Sequence, residues 1–488
     1  MFGRTGLNLS RSPFSGYLIA KRFKNPRTHW SNLKKQKGAT HKALEYFDDL
    51  YGNVFGRDWP SMRVALLTQS KYVALVNNFS DTERIIPYLE NLGAMDMRRI
   101  LECETERIAE NPVKGKKRKK GRDVSESNLD HKLENFKERL KEEEIRNVYP
   151  EGAEIIDTTR SSTAYDDASS RLIQPELAGS ASALYEFVPT SKLKGKEDWV
   201  PESEHFQYFS TDDDCPIIRE EQSLLEYPSQ LKVFTFVTGC CDPFPRPKRD
   251  RLLGVTDYYL MDGASVLPII ALDLRPGDSF LDMCAAPGGK SLLALQTLYP
   301  SVVTMNDSSI SRSNRLRSVM KEFIINFNEK SAQNLYRITS IDGRNIEDAN
   351  VYNKILVDVP CTTDRHSVVE DDNNIFKSNR IQERIKIPEL QSSLLESALK
   401  LVKVGGTVVY STCSLSPVQN DGVVHMAIRS VHEKTTKRIA IVDMTKALEP
   451  TKVMYRYRSN VLKYGHLIVP YLPDNYGPMY FCKFVRLE

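Results

Sequence analysis

Two cysteines stand at positions where a thiol could act as a nucleophile. Cys361 follows the apolar run 354–357 and Asp358, and Cys413 follows the apolar run 407–410. If both runs are neighbouring parallel strands, the residues that follow them meet at one edge of the sheet. A single cysteine in such a place is more often an inert core residue. Two thiols beside one carboxylate instead favour a nucleophilic site that works through a thiolate.

A glycine-rich turn is the second feature that could do chemistry. The segment 282–290 reads DMCAAPGGK, and a helical pattern begins at Ser291. Its small residues allow the backbone to approach a cofactor closely, and a helix amino end favours negative charge. Nicotinamide and flavin enzymes share such a turn, so the turn alone is a weak signal. The spaced glycines of their G-x-G-x-x-G fingerprint are missing from this segment, which argues against those two cofactors.

Acidic residues end two further strand-like runs. Asp307 follows the run 302–306, about 20 residues after the turn, where an acid commonly binds ribose hydroxyls. The same residue could cap the amino end of the helix that follows it. Asp342 and Gly343 follow the run 338–341 and suit contact with an adenine edge, although a plain turn would also explain the pair.

Alternating strands and helices after about Leu224 must position these residues. Short apolar runs are separated by segments of helical length, which predicts an α/β fold with parallel strands in a doubly wound sheet. The runs are 279–283, 302–306, 338–341, 354–357 and 407–410. Ligands of such sheets lie beyond the carboxyl ends of the strands, where the residues named above are found.

The chain before Leu224 has two different compositions. Residues 41–102 contain Trp59 and the helical spacing of Ile85 and Leu89, which predicts a small, mainly helical N-terminal unit. Residues 103–223 are highly charged with few apolar residues, which predicts a weakly structured insertion or linker. Its run KGKKRKKGR either contacts phosphates or is a solvated charge run. Residues 224–488 are then the catalytic domain.

The first 44 residues contain many basic side chains and no acid, since the first carboxylate is Glu45. The basic residues are Arg4, Arg11, Lys21, Arg22, Lys24, Arg27, Lys34, Lys35, Lys37 and Lys42. Together with several serines, this is the pattern of a mitochondrial presequence, which we predict over 1–40 for import into the matrix. The alternative is a disordered basic arm that touches RNA.

Length, charge and cysteine content limit the classes of protein to which the chain can belong. A length of 488 residues predicts two globular parts, and a net charge of +4 does not imply nucleic acid by itself. Any binding face must therefore be local, and one candidate patch is Arg246, Lys248, Arg249 and Arg251. The eight cysteines form no paired CxxC units, so reduced thiols are favoured and no metal site is predicted. No 18 consecutive residues are apolar, which argues against a membrane span.

Three segments resemble the motifs of one known family. They are DMCAAPGGKS at 282–291, VDVPCTTDRHSV at 357–368 and YSTCSLSPVQND at 410–421. They resemble the Sun-domain family of RNA cytosine-5 methyltransferases, and the resemblance runs from about Leu231 to the C-terminus. The segments DPFPRPKRDR, YYLMDGASVLP and GPMYFCKFVR, with WPSMRVALL and KYVALVNNF in the N-terminal unit, resemble the mitochondrial member that acts on small-subunit ribosomal RNA.

This resemblance implies a fold, a cofactor and residue roles. It implies a Rossmann-like methyltransferase sheet that uses S-adenosyl-L-methionine. It makes Cys413 the nucleophile and Cys361 the thiol that aids release, roles that spacing alone does not give. Contacts to the cofactor carry over to Cys284, Ala285, Ala286, Pro287, Gly288, Gly289, Lys290, Asp307, Arg312, Asp342, Gly343 and Asp358. Without the resemblance, Arg312 would be interpreted as a solvated helix residue.

The chemistry of cytosine explains why such an enzyme needs a thiol. Carbon 5 is too poor a nucleophile to take a sulfonium methyl group directly, but a thiolate that adds to carbon 6 activates it. Asp358 is the natural group to supply a proton at ring nitrogen 3. A base must later remove the proton from carbon 5, and the second cysteine or a water can serve there.

The resemblance also implies partners. The substrate would be mitochondrial small-subunit ribosomal RNA, with a role in ribosome assembly. Because no separate RNA-binding domain is recognisable in the sequence, help is expected from a mitochondrial termination-factor-like helical repeat protein. Two other classes remain open: a DNA cytosine-5 methyltransferase, which would use the Cys361 position as nucleophile, and a non-catalytic ribosome-assembly factor.

Overall fold

The computed structural model describes residues 38–110, 217–240, 242–329, 332, 335–458 and 462–488. The described residues from Ala39 onwards belong to one compact unit. Three of the sequence predictions lie largely or wholly outside the described residues. They are the presequence, the basic run at 114–122 and most of the charged insertion.

Ten α-helices and thirteen strands are present in the described residues. The helices are α1 Ala39–Phe55, α2 Trp59–Leu67, α3 Thr82–Asn91, α4 Met97–Glu110, α5 Leu267–Ala271, α6 Gly289–Gln296, α7 Ile310–Phe323, α8 Asp364–Val369, α9 Ile381–Leu401 and α10 Val423–Lys434. The strands are β1 Tyr72–Val76, β2 Met95–Asp96, β3 Ile218–Glu221, β4 Val233–Thr235, β5 Tyr258–Asp262, β6 Ser279–Asp282, β7 Val302–Asn306, β8 Tyr336–Thr339, β9 Tyr352–Asp358, β10 Val402–Thr412, β11 Ile439–Asp443, β12 His466–Ile468 and β13 Met479–Arg486. None of these helices is long and apolar enough to cross a membrane.

The larger sheet has the order β3-β11-β13-β10-β9-β6-β7-β8, and β12 pairs with β13. The five strands from β10 to β8 are parallel, as predicted from the five apolar runs. Strand β8 begins two residues earlier than the predicted run, because its pairing with β7 starts at Tyr336. The direction of winding reverses between β6 and β9, and ligands of doubly wound sheets bind at such a point.

Alternating residues of the parallel strands fill two separate cores. Leu281 and Ile355 face the core that contains α9 and α10, whereas Phe280 and Leu356 face the core that contains α6 and α7. Successive side chains of a strand point to opposite faces of the sheet. Helices therefore cover both faces, which confirms the doubly wound arrangement.

The far edge of the larger sheet was not foreseen from the sequence. Strand β13 is antiparallel to both β10 and β11, and β3 adds in parallel to β11. The sequence of β3, IREE, has one apolar residue, so its strand state depends on pairing with β11 rather than on a hydrophobic pattern. Strand β3 precedes the domain boundary that we predicted at Leu224, and α4 continues to Glu110, beyond the boundary predicted at residue 102.

The N-terminal unit is mainly helical, as predicted, but its strand β1 belongs to a second sheet. This four-stranded antiparallel sheet has the order β2-β4-β1-β5. On β1, Val73 and Leu75 join the core beside α6 and α7, and Ala74 and Val76 pack in a smaller cluster with Ile85 of α3. The N-terminal unit thus shares a core and a sheet with residues that follow Leu224.

Candidate active site

The glycine-rich turn lies between β6 and α6 and brings the backbone close to α7. Gly288 has a φ of +117°, and a Cβ there would lie 2.8 Å from side-chain carbons of Leu316 and Met320. A Cβ on Gly289 would lie 3.0 Å from the ring of Tyr259. Only glycine fits the first position without strain or collision. The local sequence therefore produces a tight turn whose backbone borders the carboxyl ends of β6 and β7.

Asp282, the last residue of β6, is a buried acid that the sequence analysis did not select. One of its oxygens accepts a 2.6 Å hydrogen bond from the Ser291 hydroxyl. The other, Oδ1, is buried and has no hydrogen-bond partner among the described residues. Burial raises the pKa of this carboxyl to about 7, with the charge of Asp358 adding to the effect. Within the turn, burial also raises the pKa of Cys284, which keeps that thiol protonated.

Asp307 lies at the end of β7 with its carboxylate buried beside the turn. Its Oδ1 accepts a hydrogen bond from the backbone of Ser309 at 3.0 Å. Its Oδ2 is buried without a hydrogen-bond partner among the described residues. The amino cap of α7 is Ser309 rather than Asp307. Among the described residues, Oδ2 has only the Arg312 guanidinium as a charged neighbour, 3.3 Å away, and it can still accept a hydrogen bond from a ligand hydroxyl.

Arg312 is a contact residue of the turn, although its side chain is half exposed. Its guanidinium donates to the carbonyl of Ala286 at 2.8 Å and lies 3.3 Å from Asp307 Oδ2. The arginine thus connects the turn to the acid after β7. This arrangement differs from the solvated helix residue that the sequence pattern alone favours.

Asp342 and Gly343 follow β8 and are also predicted cofactor contacts. The Asp342 carboxylate accepts a two-pronged hydrogen bond from Arg344 and caps the short 3-10 helix Gly343–Asn345. These bonds to Arg344 lower the pKa of Asp342. Gly343 is buried, and a Cβ there would lie 2.7 Å from Met283 and 2.8 Å from Leu394.

Asp358 lies between the residues predicted to contact the cofactor and the two thiols. Its Oδ2 accepts from the Lys290 ammonium at 2.8 Å and its Oδ1 from the Ser411 hydroxyl at 2.7 Å. Burial alone would lower the pKa of Lys290, but the charge of Asp358 and its hydrogen bond outweigh burial and raise it. Lys290 therefore stays protonated between Asp358 and Cys413.

The two predicted thiols are in contact. Cys361 Sγ and Cys413 Sγ are 3.1 Å apart, and the backbone N–H of Thr363 points to Cys361 Sγ at 3.4 Å. The hydrogen bond with Cys361, burial and the charge of Asp358 raise the pKa of Cys413, while Lys290 opposes them. The raised pKa keeps the Cys413 thiol mostly protonated near neutral pH.

A fully buried carboxyl behind the thiols was also missed by the sequence analysis. Asp364 accepts hydrogen bonds from Thr362 at 2.5 Å, from the Leu415 backbone at 2.7 Å and from the Tyr51 hydroxyl at 2.6 Å. Burial raises its pKa. It joins the loop of Cys361, the loop of Cys413 and helix α1. The sequence signal, an acid three residues after a cysteine, gives no indication of these distant partners.

The basic patch Arg246–Arg251 lies on an exposed loop between β4 and β5. Its arginines and lysine are exposed, and Arg249 donates to the carbonyl of Gly254 at 2.6 Å. Asp250 lies within the patch, and hydrogen bonds from the backbone of Leu253 and Leu252 lower its pKa. The patch thus carries one negative charge among its positive ones.

The geometry fits a nucleoside cofactor with vicinal hydroxyls. Asp307 offers a buried acceptor that is free of hydrogen bonds among the described residues. The glycines at 288 and 289 allow the turn to pack closely against α7 and Tyr259, where a Cβ would collide with side chains. The sheet order, this turn and the acid after the second parallel strand define the class of Rossmann-like methyltransferases that use S-adenosylmethionine.

Comparisons with known proteins place the chain within that class. The sequence profile of the 16S rRNA methyltransferase RsmB/F family matches residues 269–484. The chain is 34% identical to the 5-cytosine rRNA methyltransferase nsun-4 of Caenorhabditis elegans, over 98% of this chain and 99% of that protein. It is 35% identical to the 5-cytosine rRNA methyltransferase NSUN4 of Xenopus laevis, over 94% and 93%. The chain therefore belongs to the RsmB/F family, also called the Sun-domain family.

A relative named for a different substrate matches a smaller part of the chain. The mitochondrial tRNA (cytosine(34)-C(5))-methyltransferase of Mus musculus is 34% identical over 54% of this chain and 72% of that protein. Similarity to the two rRNA methyltransferases extends over nearly the whole chain, whereas similarity to the tRNA enzyme covers about half of it.

Proposed function

We propose that this chain methylates carbon 5 of a cytosine in mitochondrial small-subunit ribosomal RNA through a covalent adduct with Cys413. The observation that carries the proposal is the contact of two thiols, 3.1 Å apart, beside the paired residues Lys290 and Asp358. An inert structural cysteine needs neither a second thiol nor a protonated lysine beside it. The nearly full-length similarity to proteins named as 5-cytosine rRNA methyltransferases supports the choice of substrate.

The proposed reaction begins with the thiolate of Cys413. It adds to carbon 6 of the cytosine ring, and ring nitrogen 3 takes a proton that the Lys290 ammonium passes through Asp358, to which it is hydrogen-bonded. Carbon 5 becomes nucleophilic, and bound S-adenosylmethionine supplies an electrophilic methyl group. Cys361, or a water that it positions, removes the proton from carbon 5. The bond between carbon 6 and sulfur then breaks, the Cys413 thiolate leaves as the ring regains its double bond, and ring nitrogen 3 returns its proton to Asp358 and Lys290.

The residues around the turn are proposed to hold the cofactor. Asp307 Oδ2 accepts from a ribose hydroxyl, since it is buried and has no hydrogen-bond partner among the described residues. Asp342 and Gly343 border the adenine. The remaining proposed contacts are Cys284, Ala285, Ala286, Pro287, Gly288, Gly289, Lys290, Arg312 and Asp358. Arg312 acts mainly through Ala286 and Asp307, both of which it already contacts.

The cellular setting completes the proposal. The acid-free basic start of the chain supports import into the mitochondrial matrix and removal of a presequence over 1–40. The exposed loop Arg246–Arg251 would bind RNA phosphates and contribute to affinity rather than to sequence choice. A helical repeat protein of the mitochondrial termination-factor type would help select the target, and the chain would take part in ribosome assembly.

Bisulfite sequencing of organelle small-subunit ribosomal RNA tests this function. Cells that lack the chain should lose one 5-methylcytosine, and the intact chain should restore it. The Cys413→Ser variant should not restore it. Retention of the methyl mark without the chain would reject the proposal. If Cys413→Ser failed to restore the mark but restored ribosome levels, the chain would also act as an assembly factor.

A further inference from the structure

A cavity of about 520 Å³ lies beside Cys413 and is lined partly by the N-terminal unit. The N-terminal lining consists of Leu67, Thr68, Gln69, Ser70 and Tyr72. The cofactor-side acids Asp307 and Asp358 are not among the lining residues. The cavity therefore opens next to Cys413 but does not extend to the acids proposed to contact the cofactor.

The N-terminal residues that line this cavity are held to the catalytic domain by hydrogen bonds. The guanidinium of Arg365 donates to the carbonyls of Ala65 and Thr68 at 2.9 Å each. It also donates at 2.8 Å to the carbonyl of Gly477 and to the side-chain oxygen of Asn475. One arginine just after the Cys361 loop thus connects the end of α2 to the loop before β13. The N-terminal residues keep their position relative to Cys413 because of these bonds.

A buried ion pair sets the direction of the next side chain. Lys71 is 3% exposed, and its ammonium donates to Asp474 at 2.6 Å. Tyr72 follows as the first residue of β1 and is 45% exposed. Successive side chains of an extended chain point to opposite sides, so the inward Lys71 turns Tyr72 towards the cavity. The position of Tyr72 at the cavity is therefore determined by the buried ion pair of its neighbour Lys71.

The charges in the lining suit a neutral ring better than a phosphate. Four of the N–H groups of Arg365 are already used by protein oxygens. Asp262 and Glu370 are acidic, and burial raises the pKa of Asp262. Tyr72 and Leu67 expose large side chains at the cavity. Unstacked RNA bases are commonly bound by stacking on such aromatic side chains, with phosphates left outside.

We propose that Tyr72 stacks on a base of the RNA segment that carries the target cytosine, so that the N-terminal unit forms part of the RNA-binding site. This inference rests on the proposed function, in which Cys413 attacks a cytosine that has left its stack. The stacked base occupies the cavity that Tyr72 and Cys413 share. The N-terminal unit then acts in substrate binding and not only in stability.

Substitution of Tyr72 tests the stacking. The probe is a single-stranded oligoribonucleotide with one central cytosine, and the variants are Tyr72→Ala, Tyr72→Phe and the control Tyr88→Ala. Tyr88 is a similarly exposed tyrosine, 38% exposed on α3, and does not line the cavity. Tyr72→Ala should weaken RNA binding roughly 5- to 100-fold, as loss of one stacked base predicts. Tyr72→Phe and Tyr88→Ala should bind as the unaltered chain does.

Kinetics separate binding from chemistry. At saturating RNA, kcat of Tyr72→Ala should stay within a factor of about two, and its affinity for S-adenosylmethionine should not change. Equal RNA binding by Tyr72→Ala and the unaltered chain would overturn the inference and leave the cavity to a protein segment. Loss in Tyr72→Phe equal to that in Tyr72→Ala would overturn stacking in favour of a hydroxyl contact. If the unaltered chain itself neither bound nor methylated RNA, the proposed function would fail first.

Discussion

The sulfur atoms of Cys361 and Cys413 lie 3.1 Å apart although 52 residues separate them in the chain. They meet because β9 and β10 are parallel neighbours, with Asp358 opposite Ser411 at their carboxyl ends. The two thiols have different surroundings, since the charge of Lys290 acts on Cys413 and the backbone of Thr363 points to Cys361. Different surroundings allow different roles, and these roles can be separated by experiment.

The first prediction assigns the nucleophile. Cys413→Ser should abolish both the RNA adduct and methylation, because the side chain of a cysteine, whose unperturbed pKa is about 8.5, is replaced by a far less acidic hydroxyl. Cys361→Ser should still allow attack and methyl transfer but stall before release. A denaturing gel should then show a slow, nuclease-sensitive band for Cys361→Ser alone. Cys103→Ser, at an exposed position on α4, is the control.

The opposite pattern of bands would overturn this assignment. A band from Cys413→Ser with none from Cys361→Ser would make Cys361 the nucleophile. That outcome would support the mechanism of a DNA cytosine-5 methyltransferase instead.

The second prediction concerns pH. Because the pKa of Cys413 is raised, first through its hydrogen bond with Cys361, most of this thiol is protonated at neutral pH. Alkylation of Cys413 by iodoacetamide should therefore increase about tenfold per pH unit above neutrality. Cys361→Ala should move the midpoint of this profile to lower pH, measured by mass spectrometry of the Cys413 peptide. A midpoint moved to higher pH would mean that Cys361 donates its proton to the Cys413 thiolate and stabilises it.

The third prediction tests the ribose contact. Asp307→Ala should weaken S-adenosylmethionine binding, because a hydrogen bond to a charged group contributes roughly 1.5–3 kcal/mol. Calorimetry should show the loss, and thermal unfolding should confirm that the variant is folded. Glu347→Ala removes an exposed acid and serves as the matched control. Equal affinity in Asp307→Ala and the unaltered chain would contradict the contact.

The fourth prediction uses the buried acid of β6. The folded pKa of Asp282 is about 7, whereas an unfolded aspartate titrates near 3.8. Between these values the folded chain holds a proton that the unfolded chain has lost, so this residue's contribution to stability falls as pH rises and is constant above about pH 8. Asp282→Asn cannot lose that proton.

Chemical unfolding at several pH values measures this effect. The free energy of unfolding of Asp282→Asn, relative to the unaltered chain, should increase by roughly 2 kcal/mol from about pH 5.5 to about pH 8 and then level off. A pH-independent difference between the two proteins would show that Asp282 is ionised throughout this range.

Predictions from the sequence succeeded where local pattern determines structure. Apolar runs gave all five parallel strands, and the residue after each run lies at the predicted edge. The glycine-rich turn was recognised from its small residues, and the structure adds that Gly288 has a positive φ. The boundaries predicted for the domains, and the roles assigned to the thiols and cofactor contacts, stay predictions.

Contacts between distant segments could not be derived from the sequence. Tyr51 and Asp364 are 313 residues apart, and Arg365 and Ala65 are 300 residues apart. Neither pair is signalled by spacing or periodicity, because each depends on how the N-terminal helices pack on the finished sheet. The charged strand β3 was missed for a similar reason. Its own residues show no hydrophobic pattern, and its strand conformation depends on pairing with β11.

The last prediction concerns the connection of α1 to the thiols. The Tyr51 hydroxyl donates to Asp364, which in turn accepts from the backbone of Leu415, two residues after Cys413. Tyr51→Phe should lower the free energy of unfolding by about 1–3 kcal/mol, because a buried acceptor loses one donor. It should also slow adduct formation, since the Cys413 loop is held less firmly. The matched control is Tyr258→Phe on β5 of the other sheet, which removes a part-buried hydroxyl that donates to the Pro245 carbonyl at 2.6 Å.

Both variants should lose comparable stability, but only Tyr51→Phe should change the chemistry of Cys413. Single-turnover adduct formation with RNA, together with iodoacetamide alkylation of Cys413, measures that chemistry at a temperature where both variants are fully folded. Equal slowing in the two variants would attribute the effect to general loosening of the fold. An unchanged rate in a destabilised Tyr51→Phe would limit Asp364 to a structural role. Slowing in Tyr51→Phe alone would establish that helix α1 positions the nucleophile Cys413 through the hydrogen bond between Tyr51 and Asp364.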